Sequence, residues 1–416
     1  MAAGTLDVDV AVVGASLAGC TTAHLLAREG LRVALVEKHG DSDAYKRLCG
    51  HFIQSSATPV FRRLGLDRAI EAAGGVRNGA DFTTPWGRLA PRPRAGEPRP
   101  YGYSVRRSKL DPMIRRLATE TDGVSYHAGC AATALTGDER RCEGVVVRDR
   151  AGRETAIRAR LVVGADGRNS TTAKLAGAAG RAHANNRFCY MAYFEDVERA
   201  PEDRAWVWLL DRDVLIAAPN DEGLTLLAAF LHKDRLPAFK ADREAAFTRM
   251  LATVRGGPSL EGGRRVSPFV GYTDYPPITR PAVPRDGLAL VGDAALTCDP
   301  VLAIGCGFAL QSATWLADSV LPALQGEEPL RRGLRRYRRR HHRELAGHAR
   351  ILNAGALAKP PNPIERLMMS AAVRDPELAR HFERFASRSV RVRDFLAPTA
   401  VARAAWVNAR GRTAAA

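Results

Sequence analysis

Aromatic residues and long apolar runs are scarce in this chain of 416 residues. Phe, Tyr and Trp make up 6% of it. No window reaches the roughly 18 uncharged apolar residues that a membrane-spanning helix needs. No basic leader precedes the first apolar run, so we expect neither a signal peptide nor a transmembrane segment. With 46% hydrophobic and 26% charged residues, the composition predicts a folded chain of two or three domains.

Cysteine is sparse too, and its placement excludes two classes of small scaffold. The seven cysteines are scattered, and none of them forms a CxxC pair. This pattern argues against a disulfide framework or a zinc ribbon and favours a reducing, cytoplasmic setting. The ten histidines contain no HExxH pair, so we expect no metal site.

The positive charge is unevenly distributed. The net charge is +17, but residues 331–416 hold 20 Lys and Arg against six Asp and Glu, which leaves only +3 for the rest. Apolar residues recur there every three or four positions, which predicts a helix with one packed face and a solvated arginine face. Binding of an anionic partner or of a carrier-bound substrate is the alternative. No nucleic acid is expected, because no basic platform studded with aromatics accompanies the charge.

The first motif opens the chain as a βαβ unit. Residues 8–13 are apolar and mostly β-branched, as in a buried parallel strand, and the glycine-rich segment 14–19 (GASLAG) follows directly. A predicted helix then ends at Gly30, and a second strand ends on Glu37 and Lys38. This order of strand, glycine loop, helix, strand and acid is the dinucleotide-binding arrangement.

Each position in that unit has a physical role. Gly14 makes the tight turn, and Gly19 lets the helix pack closely on the strand. The helix N-terminus would face a pyrophosphate, and Glu37 would bind ribose hydroxyls. Ser16 replaces the middle glycine, and its hydroxyl can itself donate to a phosphate.

In two further motifs, a predicted strand is followed by an acidic residue and then by the start of a helix. In residues 161–177 a strand leads into GADG, which contains Asp166. In residues 287–320 a strand leads to Gly292 and Asp293, followed by a proline loop and a long helix. Such an acid can accept hydrogen bonds from ribose or ribityl hydroxyls, and the helix dipole can stabilise an anionic ring.

With these three motifs in order, the sequence resembles the FAD-dependent aromatic hydroxylases, the p-hydroxybenzoate hydroxylase-like group A flavoprotein monooxygenases, over roughly residues 8–325. The resemblance implies an α/β fold in which a Rossmann-like FAD-binding domain is interleaved with a β-sheet substrate domain, and the remaining sequence predicts a C-terminal helical region. The expected divisions are 1–180 (FAD-binding, with a loop or hairpin insertion at 76–100), 181–275 (β-sheet, with one helix at 235–254), 276–325 (closing FAD-binding part) and 326–416 (basic helices, broken at 359–363).

The resemblance also assigns residues. The expected FAD-binding residues are Gly14, Ala15, Ser16, Leu17, Ala18, Gly19, Glu37, Lys38, Arg47, Arg107, Asp166, Gly292, Asp293, Pro300, Gly305, Cys306 and Gly307. Arg107 opens an R-x-x-L helix start that reaches the flavin side in the family. The CGHF run at 49–52 lies beside the flavin, so His51 could deprotonate a phenol or bond the flavin. Arg47 could contact flavin or substrate, and His51 and Arg47 are the catalytic candidates.

Trp206 and Trp208 alternate along one predicted strand and therefore share a face. In the resembled fold the middle sheet covers the substrate. Both indoles are accordingly expected to line the substrate pocket, where they could stack on an aromatic ligand.

The implied function is an FAD-dependent monooxygenase that uses transiently bound NAD(P)H and O2. It would hydroxylate or epoxidise a small aromatic or unsaturated metabolite, free or carrier-bound, through a flavin C4a-hydroperoxide, in secondary metabolism. Departures from the family pattern, such as Leu296 in GDAAL and Ala303 in place of a loop glycine, keep other reactions open.

Three alternatives remain. The CGHF run and the DPVxxxG loop are similar to geranylgeranyl-reductase-like enzymes, which reduce isolated double bonds. The WVWLLD run is similar to flavin-dependent halogenases, although Lys46 is the only lysine near the region of their catalytic lysine. From another class, the chain could be a flavin-bearing binding protein with a basic docking tail. Neither substrate nor oligomeric state is readable from the sequence.

Overall fold

The computed structural model describes residues 4–197, 204–254, 256–258, 260 and 262–413. The strands are β1 Gly4–Val13, β2 Val33–Glu37, β3 Phe52–Ile53, β4 Val76–Asn78, β5 Ala80–Thr84, β6 Gly87–Leu89, β7 Gly102–Ser104, β8 Val124–Ala128, β9 Ala131–Gly137, β10 Cys142–Arg148, β11 Glu154–Gly164, β12 Arg181–Ala182, β13 Arg187–Glu195, β14 Ala205–Leu209, β15 Val214–Pro219, β16 Thr225–His232, β17 Arg264–Arg265, β18 Val270–Tyr272, β19 Ile278–Thr279 and β20 Leu288–Leu290.

The helices are α1 Leu17–Ala27, α2 Thr58–Arg63, α3 Asp67–Ala72, α4 Arg107–Thr119, α5 Thr171–Leu175, α6 Leu236–Ala241, α7 Arg243–Ala252, α8 Gly305–Leu324, α9 Leu330–Gly355, α10 Pro363–Ala372, α11 Pro376–Ala386, α12 Val392–Phe395 and α13 Pro398–Thr413.

The first sheet gathers the three sequence motifs at one edge. Its order is β8-β2-β1-β11-β10-β9, with β20 also paired to β11. Strands β1, β2, β8, β11 and β20 run parallel to their neighbours in this group. Because the carboxyl ends of parallel strands meet at the same edge, the loops after β1, β11 and β20 lie together. The α/β, Rossmann-like fold predicted from the sequence is confirmed.

The second sheet has the order β17-β13-β16-β15-β14-β5-β6, with β18 paired to β13. Residues 76–100, expected to form a loop or hairpin, contain the β5–β6 hairpin. Strand β5 pairs in parallel with β14, so this early segment extends the sheet formed by later residues. The two small sheets are β3-β7-β4 and β12-β19.

The single helix expected over residues 235–254 is two helices, α6 and α7. Asp242 separates them in an extended conformation, with φ −151° and ψ 100°. Its carboxylate accepts a hydrogen bond from the Ala245 N–H and caps α7. An aspartate offers this local bond in competition with a continuous helical ladder, and the period of the apolar residues does not reveal the break.

The C-terminal region is helical, as predicted, and α9 ends before the proline-rich segment at 359–363. Leu334, Tyr337 and His341 are buried on one side of α9, which packs along α8. The opposite side carries exposed arginines. Among the described residues, no helix is long and apolar enough to cross a bilayer.

We predict that Tyr337→Phe lowers the free energy of unfolding by about 1–3 kcal/mol, measured by denaturant titration. The buried Tyr337 hydroxyl donates to the Leu290 carbonyl at 2.7 Å and thereby joins α9 to β20. The matched control is Tyr45→Phe, because Tyr45 is 43% exposed, and we expect a change within about 0.5 kcal/mol. Equal effects of the two substitutions would contradict this account.

Candidate functional site

The loop after β1 is built for close packing. Gly14 has φ 107°, and a Cβ added there would lie 2.6 Å from the Ala165 carbonyl oxygen. A Cβ on Gly19 would lie 1.7 Å from the Gly14 carbonyl oxygen. Only glycine fits at either position. Ser16, the residue before α1, makes no side-chain capping bond. The first N–H groups of α1 are therefore available to an anionic group such as a pyrophosphate.

Glu37 lies beside this loop at the end of β2. One carboxylate oxygen accepts from the Ala15 N–H at 2.8 Å and the other from the His39 N–H at 3.0 Å. Each oxygen can accept a further bond, so the position fits a ribose. Lys38 is exposed.

Asp166, in the second motif, finds partners within its own turn. Its carboxylate accepts from the Thr172 N–H at 2.8 Å, from the Thr172 hydroxyl at 3.0 Å and from the Ser170 hydroxyl. These bonds fix the start of α5 at the edge of the first sheet. The structure thus places Asp166 near the motif loops, but its carboxylate already accepts hydrogen bonds from residues of its own turn.

The third motif receives a lysine that the sequence analysis did not assign to the site. Lys46 Nζ lies 2.8 Å from Asp293 Oδ2, and this carboxylate raises the pKa of Lys46 against the effect of burial. Arg47, the predicted catalytic and cofactor residue, is exposed and takes part in none of the described ion pairs. The structure therefore brings Lys46, and not Arg47, to the third motif. Both side chains are exposed, and alternation along an irregular loop gives no signal of which of them contacts the motif.

Arg107 joins the first and third motifs. Its guanidinium is 3% exposed and binds both carboxylate oxygens of Asp111, at 2.6 and 2.9 Å. It also donates to the Ser16 hydroxyl at 2.8 Å and lies 3.8 Å from Cys306 Sγ. Asp111 accepts the backbone N–H of Lys46 at 3.0 Å. Burial disfavours the charged guanidinium, but Asp111 together with the nearby Cys306 and Cys49 sulfurs outweighs this effect, and the pKa of Arg107 is raised.

The proline loop ends the third motif in a strained turn. Asp299 caps the 3-10 helix Pro300–Leu302 by accepting the Val301 N–H at 2.9 Å, and its burial raises the pKa of its carboxyl. Ala303, which stands where the resembled family has a glycine, has φ 52°. Ala303 therefore adopts the left-handed backbone that a glycine would adopt freely, although it carries a side chain. Gly305, Cys306 and Gly307 then open α8.

His51 is held in an unusual position between these loops and the second sheet. Its φ is 53°, its Nδ1 bonds the Tyr193 hydroxyl, and its buried Nε2 has no described partner. Burial lowers the pKa of His51, so the ring is neutral at pH 7 and can accept a proton. Tyr193 comes from β13 and was not identified from the sequence.

An apolar, partly open cavity lies beside the proline loop of the third motif. Its walls come from the second sheet, from residues 50–55, from Val301 and Leu302, and from the end of α11. The lining side chains are Phe52, Gln54, Ser55, Asn78, Ala80, Phe82, Pro100, Ala205, Val207, Ile216, Ala218, Leu226, Ala228, Phe230, Val301, Leu302, Glu383, Ala386 and Ser387, with Gly50, Gly79 and Gly102.

Glu383 is the one ionisable side chain in this lining. Arg204 binds it at 3.1 Å and also binds Asp81 at 2.6 Å. Burial raises the pKa of Glu383, and the Arg204 charge opposes the rise. The sequence analysis missed Glu383 because the C-terminal helices lie beyond the family motifs. No local pattern marks it.

Trp206 and Trp208, expected to line the substrate pocket, do not line this cavity. Ala205 and Val207 of the same strand face it, so the two indoles lie on the opposite face of the sheet. There they pack with a core cluster that includes Phe239 and Phe247 of α6 and α7. The alternation correctly predicted a shared face, but it could not say which face the cavity uses.

This chain has relatives among known proteins and solved structures. Residues 7–246 match the family model described as "FAD binding domain". The chain is 24% identical to a 1H-pyrrole-2-carbonyl-[peptidyl-carrier protein] chlorinase of Pseudomonas fluorescens, over 77% of each chain. It is also 24% identical to a digeranylgeranylglycerophospholipid reductase of Picrophilus torridus, over 80% of this chain and 83% of the reductase.

A kynurenine 3-monooxygenase of Stenotrophomonas maltophilia is 26% identical, over 76% of this chain and 72% of its own. Among solved structures, the flavin-dependent brominase Bmp2 superposes with a TM-score of 0.77 at 20% identity, over 97% of this chain and all of the brominase. Relatives with three different reactions thus have similar identities, and sequence identity does not select one of these reactions for the chain.

We predict that Ala303→Gly raises the free energy of unfolding by about 1 kcal/mol, because the left-handed backbone no longer crowds a Cβ. Chemical denaturation measures this. Ala405→Gly is the matched control, since Ala405 is an exposed interior residue of α13. It should lose about 1 kcal/mol. A destabilised Ala303→Gly protein would show that the turn is not strained.

We further predict that Arg107→Met costs about 3–5 kcal/mol of unfolding free energy, because it leaves the Asp111 carboxylate buried and unpaired. The double substitution Arg107→Met with Asp111→Leu should recover most of that loss, since no charge then remains buried. Denaturant unfolding of both variants measures the difference. Additive losses would disprove coupling through the ion pair.

Proposed function

The chain belongs to the FAD binding domain family and is an FAD-dependent oxidoreductase, and we propose that its reaction is a monooxygenation. In this proposal it uses NAD(P)H, bound transiently, and O2 to hydroxylate or epoxidise a small aromatic or unsaturated metabolite of secondary metabolism. The observation that carries the proposal is the apolar cavity that Val301 and Leu302 of the third motif help to line.

FAD supplies the activation of O2 and accepts electrons from the nicotinamide. The chain would hold the pyrophosphate at the α1 N-terminus and the ribose at Glu37. Lys46 and Asp293 offer a donor and an acceptor to the polar edge of the cofactor. Arg107 is buried and stabilises this arrangement through its contacts with the first and third motifs.

The cavity provides what an oxygenation needs from the protein. Its aromatic rings, Phe52, Phe82 and Phe230, and its aliphatic side chains exclude water and favour an unsaturated, apolar substrate. Two of the lining residues belong to the loops of the site, because Gly50 follows Cys49 and Leu302 lies just before the start of α8.

Glu383 is our candidate for orienting the substrate. Its carboxylate is held by Arg204 at one oxygen and can accept a hydrogen bond from a hydroxyl or amine on the substrate. In an apolar cavity such a single polar contact fixes the orientation of a ring or chain. Deprotonation of a phenol could instead be assisted by His51, whose neutral ring is poised between the loops and Tyr193.

Halogenation is the second candidate, supported by the brominase fold and the chlorinase relative. Against it, the described cavity lining contains no lysine amine to capture an electrophilic halogen, and Lys46 is engaged with Asp293. The chlorinase name includes a carrier protein, and the exposed arginines of α9 could meet an acidic one. A carrier-bound substrate therefore remains part of the proposal, and the free cysteines support a reducing, cytoplasmic location as a further part of it.

The test is product analysis with the purified FAD-loaded protein, NAD(P)H, isotopically labelled O2, chloride and bromide, and a panel of phenols and alkenes. We expect one labelled oxygen atom in the product. A halogenated product would favour the second candidate. A saturated product without label would favour reduction, and either result would overturn monooxygenation.

We predict that Glu383→Gln raises KM for a hydroxyl- or amine-bearing substrate about tenfold or more, as loss of a charged hydrogen bond worth about 1.5–3 kcal/mol requires. The turnover number should change less. Steady-state NAD(P)H oxidation measures both. Glu377→Gln is the control, because Glu377 lies on the same helix and pairs with Arg94 outside the cavity. Equal KM values for Glu383→Gln and the unchanged protein would remove Glu383 from substrate binding.

A further inference from the structure

Two cysteines from opposite ends of the sequence meet beside the candidate site. Cys49 precedes β3, and Cys306 is the second residue of α8. Their Sγ atoms lie 4.0 Å apart, and both thiols are free. Among the described residues, no other pair of cysteine sulfurs is in hydrogen-bond contact. The fold therefore brings together two thiols that do not form a CxxC pair in the sequence.

The surroundings of the pair distinguish the two sulfurs. The His51 N–H donates to Cys49 Sγ at 3.4 Å, and the Arg107 guanidinium lies 3.8 Å from Cys306 Sγ. The hydrogen bond from Cys306, together with the nearby positive charges, lowers the pKa of Cys49 in spite of burial, whereas that of Cys306 is raised. A thiolate is the reactive form of cysteine, and Cys49 is partly exposed whereas Cys306 is buried, so Cys49 is placed to attack and Cys306 to follow.

The remaining cysteines lack these features. Burial raises the pKa of Cys20, Cys142, Cys189 and Cys298, and also that of Cys130. They serve as internal references for any reaction of the pair. Cys298 is the best matched of them, since it is buried and belongs to the same third motif as Cys306.

We propose that Cys49 and Cys306 are a peroxide-reactive dithiol that closes to a disulfide next to the flavin-binding loops. The Cys49 thiolate attacks one oxygen of hydrogen peroxide, the O–O bond breaks, and after proton transfer one water leaves and a sulfenic acid remains. The Cys306 sulfur then attacks the Cys49 sulfur, the S–O bond breaks, and a second water leaves. Two thiols and one peroxide thus give one disulfide and two waters.

The source of the oxidant and the consequence follow from the position. FAD bound at these loops would, when reduced and without a substrate, supply hydrogen peroxide from O2 next to the pair, and in this respect the inference rests on the proposed function. Disulfide formation draws the sulfurs from 4.0 Å to about 2.05 Å. It ties the segment that carries Gly50, a cavity-lining residue, to the first turn of α8. Dithiol reagents reverse the bond, so the modification is recoverable.

The experiment uses the full-length, FAD-loaded protein, fully reduced, desalted and treated with increasing hydrogen peroxide. Free-thiol titration, intact mass and disulfide peptide mapping are the readouts, and none requires turnover, so failure of this inference is distinguishable from failure of the proposed function. We expect loss of two of the seven thiols, a mass decrease of two hydrogen atoms, and a Cys49–Cys306 cross-linked peptide that dithiothreitol removes.

Variants separate the attacking and resolving sulfurs. In Cys306→Ser, Cys49 should accumulate as a sulfenic acid that a dimedone probe traps. In Cys49→Ser, thiol loss should slow on the order of tenfold, because only high-pKa thiols remain. Cys298→Ser should still form the disulfide at the rate of the unchanged protein. Retention of all seven thiols in the unchanged protein, a disulfide between another pair, or oxidation of Cys49 without cross-linking would each overturn the proposal.

Discussion

The buried ion pair between Arg107 and Asp111 is the constraint on which the site depends. Two charges have been removed from water at the first turn of α4, and such a pair is stable only if its geometry and remaining hydrogen bonds are satisfied. Ser16 from the first motif and the backbone N–H of Lys46 complete those bonds. The pair therefore connects the glycine loop and the segment before β3 to α4, and displacing either of them removes a hydrogen bond from the buried pair.

The sheet supplies the frame within which that pair can act. Strands β1, β11 and β20 run parallel, and their register places the ends of all three motifs at one edge. Gly292 lies between Ala18 and Ala309, so α1 and α8 approach each other directly above that edge. The cofactor residues expected from three distant parts of the sequence become one site because parallel strands end together, not because any of the three motifs is complete by itself.

The C-terminal helices carry most of the positive charge and also help to form the cavity, and the charge distribution indicates only the first of these. Their arginine-rich face is in solvent, which agrees with the predicted packed and solvated sides of α9. Yet α11 closes the apolar cavity and contributes Glu383, its one ionisable side chain among the described lining residues. The region lies outside the family motifs and still shapes where a substrate would bind. Its positive charge and its contribution to the site are therefore separate properties of opposite surfaces.

The sequence by itself determined the α/β fold, the FAD-binding family and the helical C-terminal region. These follow from local signals: glycines at turns, apolar strands, and the periodicity of helices. Tertiary structure alone decided that Lys46 and not Arg47 reaches Asp293, that Trp206 and Trp208 face away from the cavity, and that Cys49 meets Cys306. Such contacts depend on which face of an element is turned inward and on partners hundreds of positions away, and neither is encoded in the spacing of neighbouring residues.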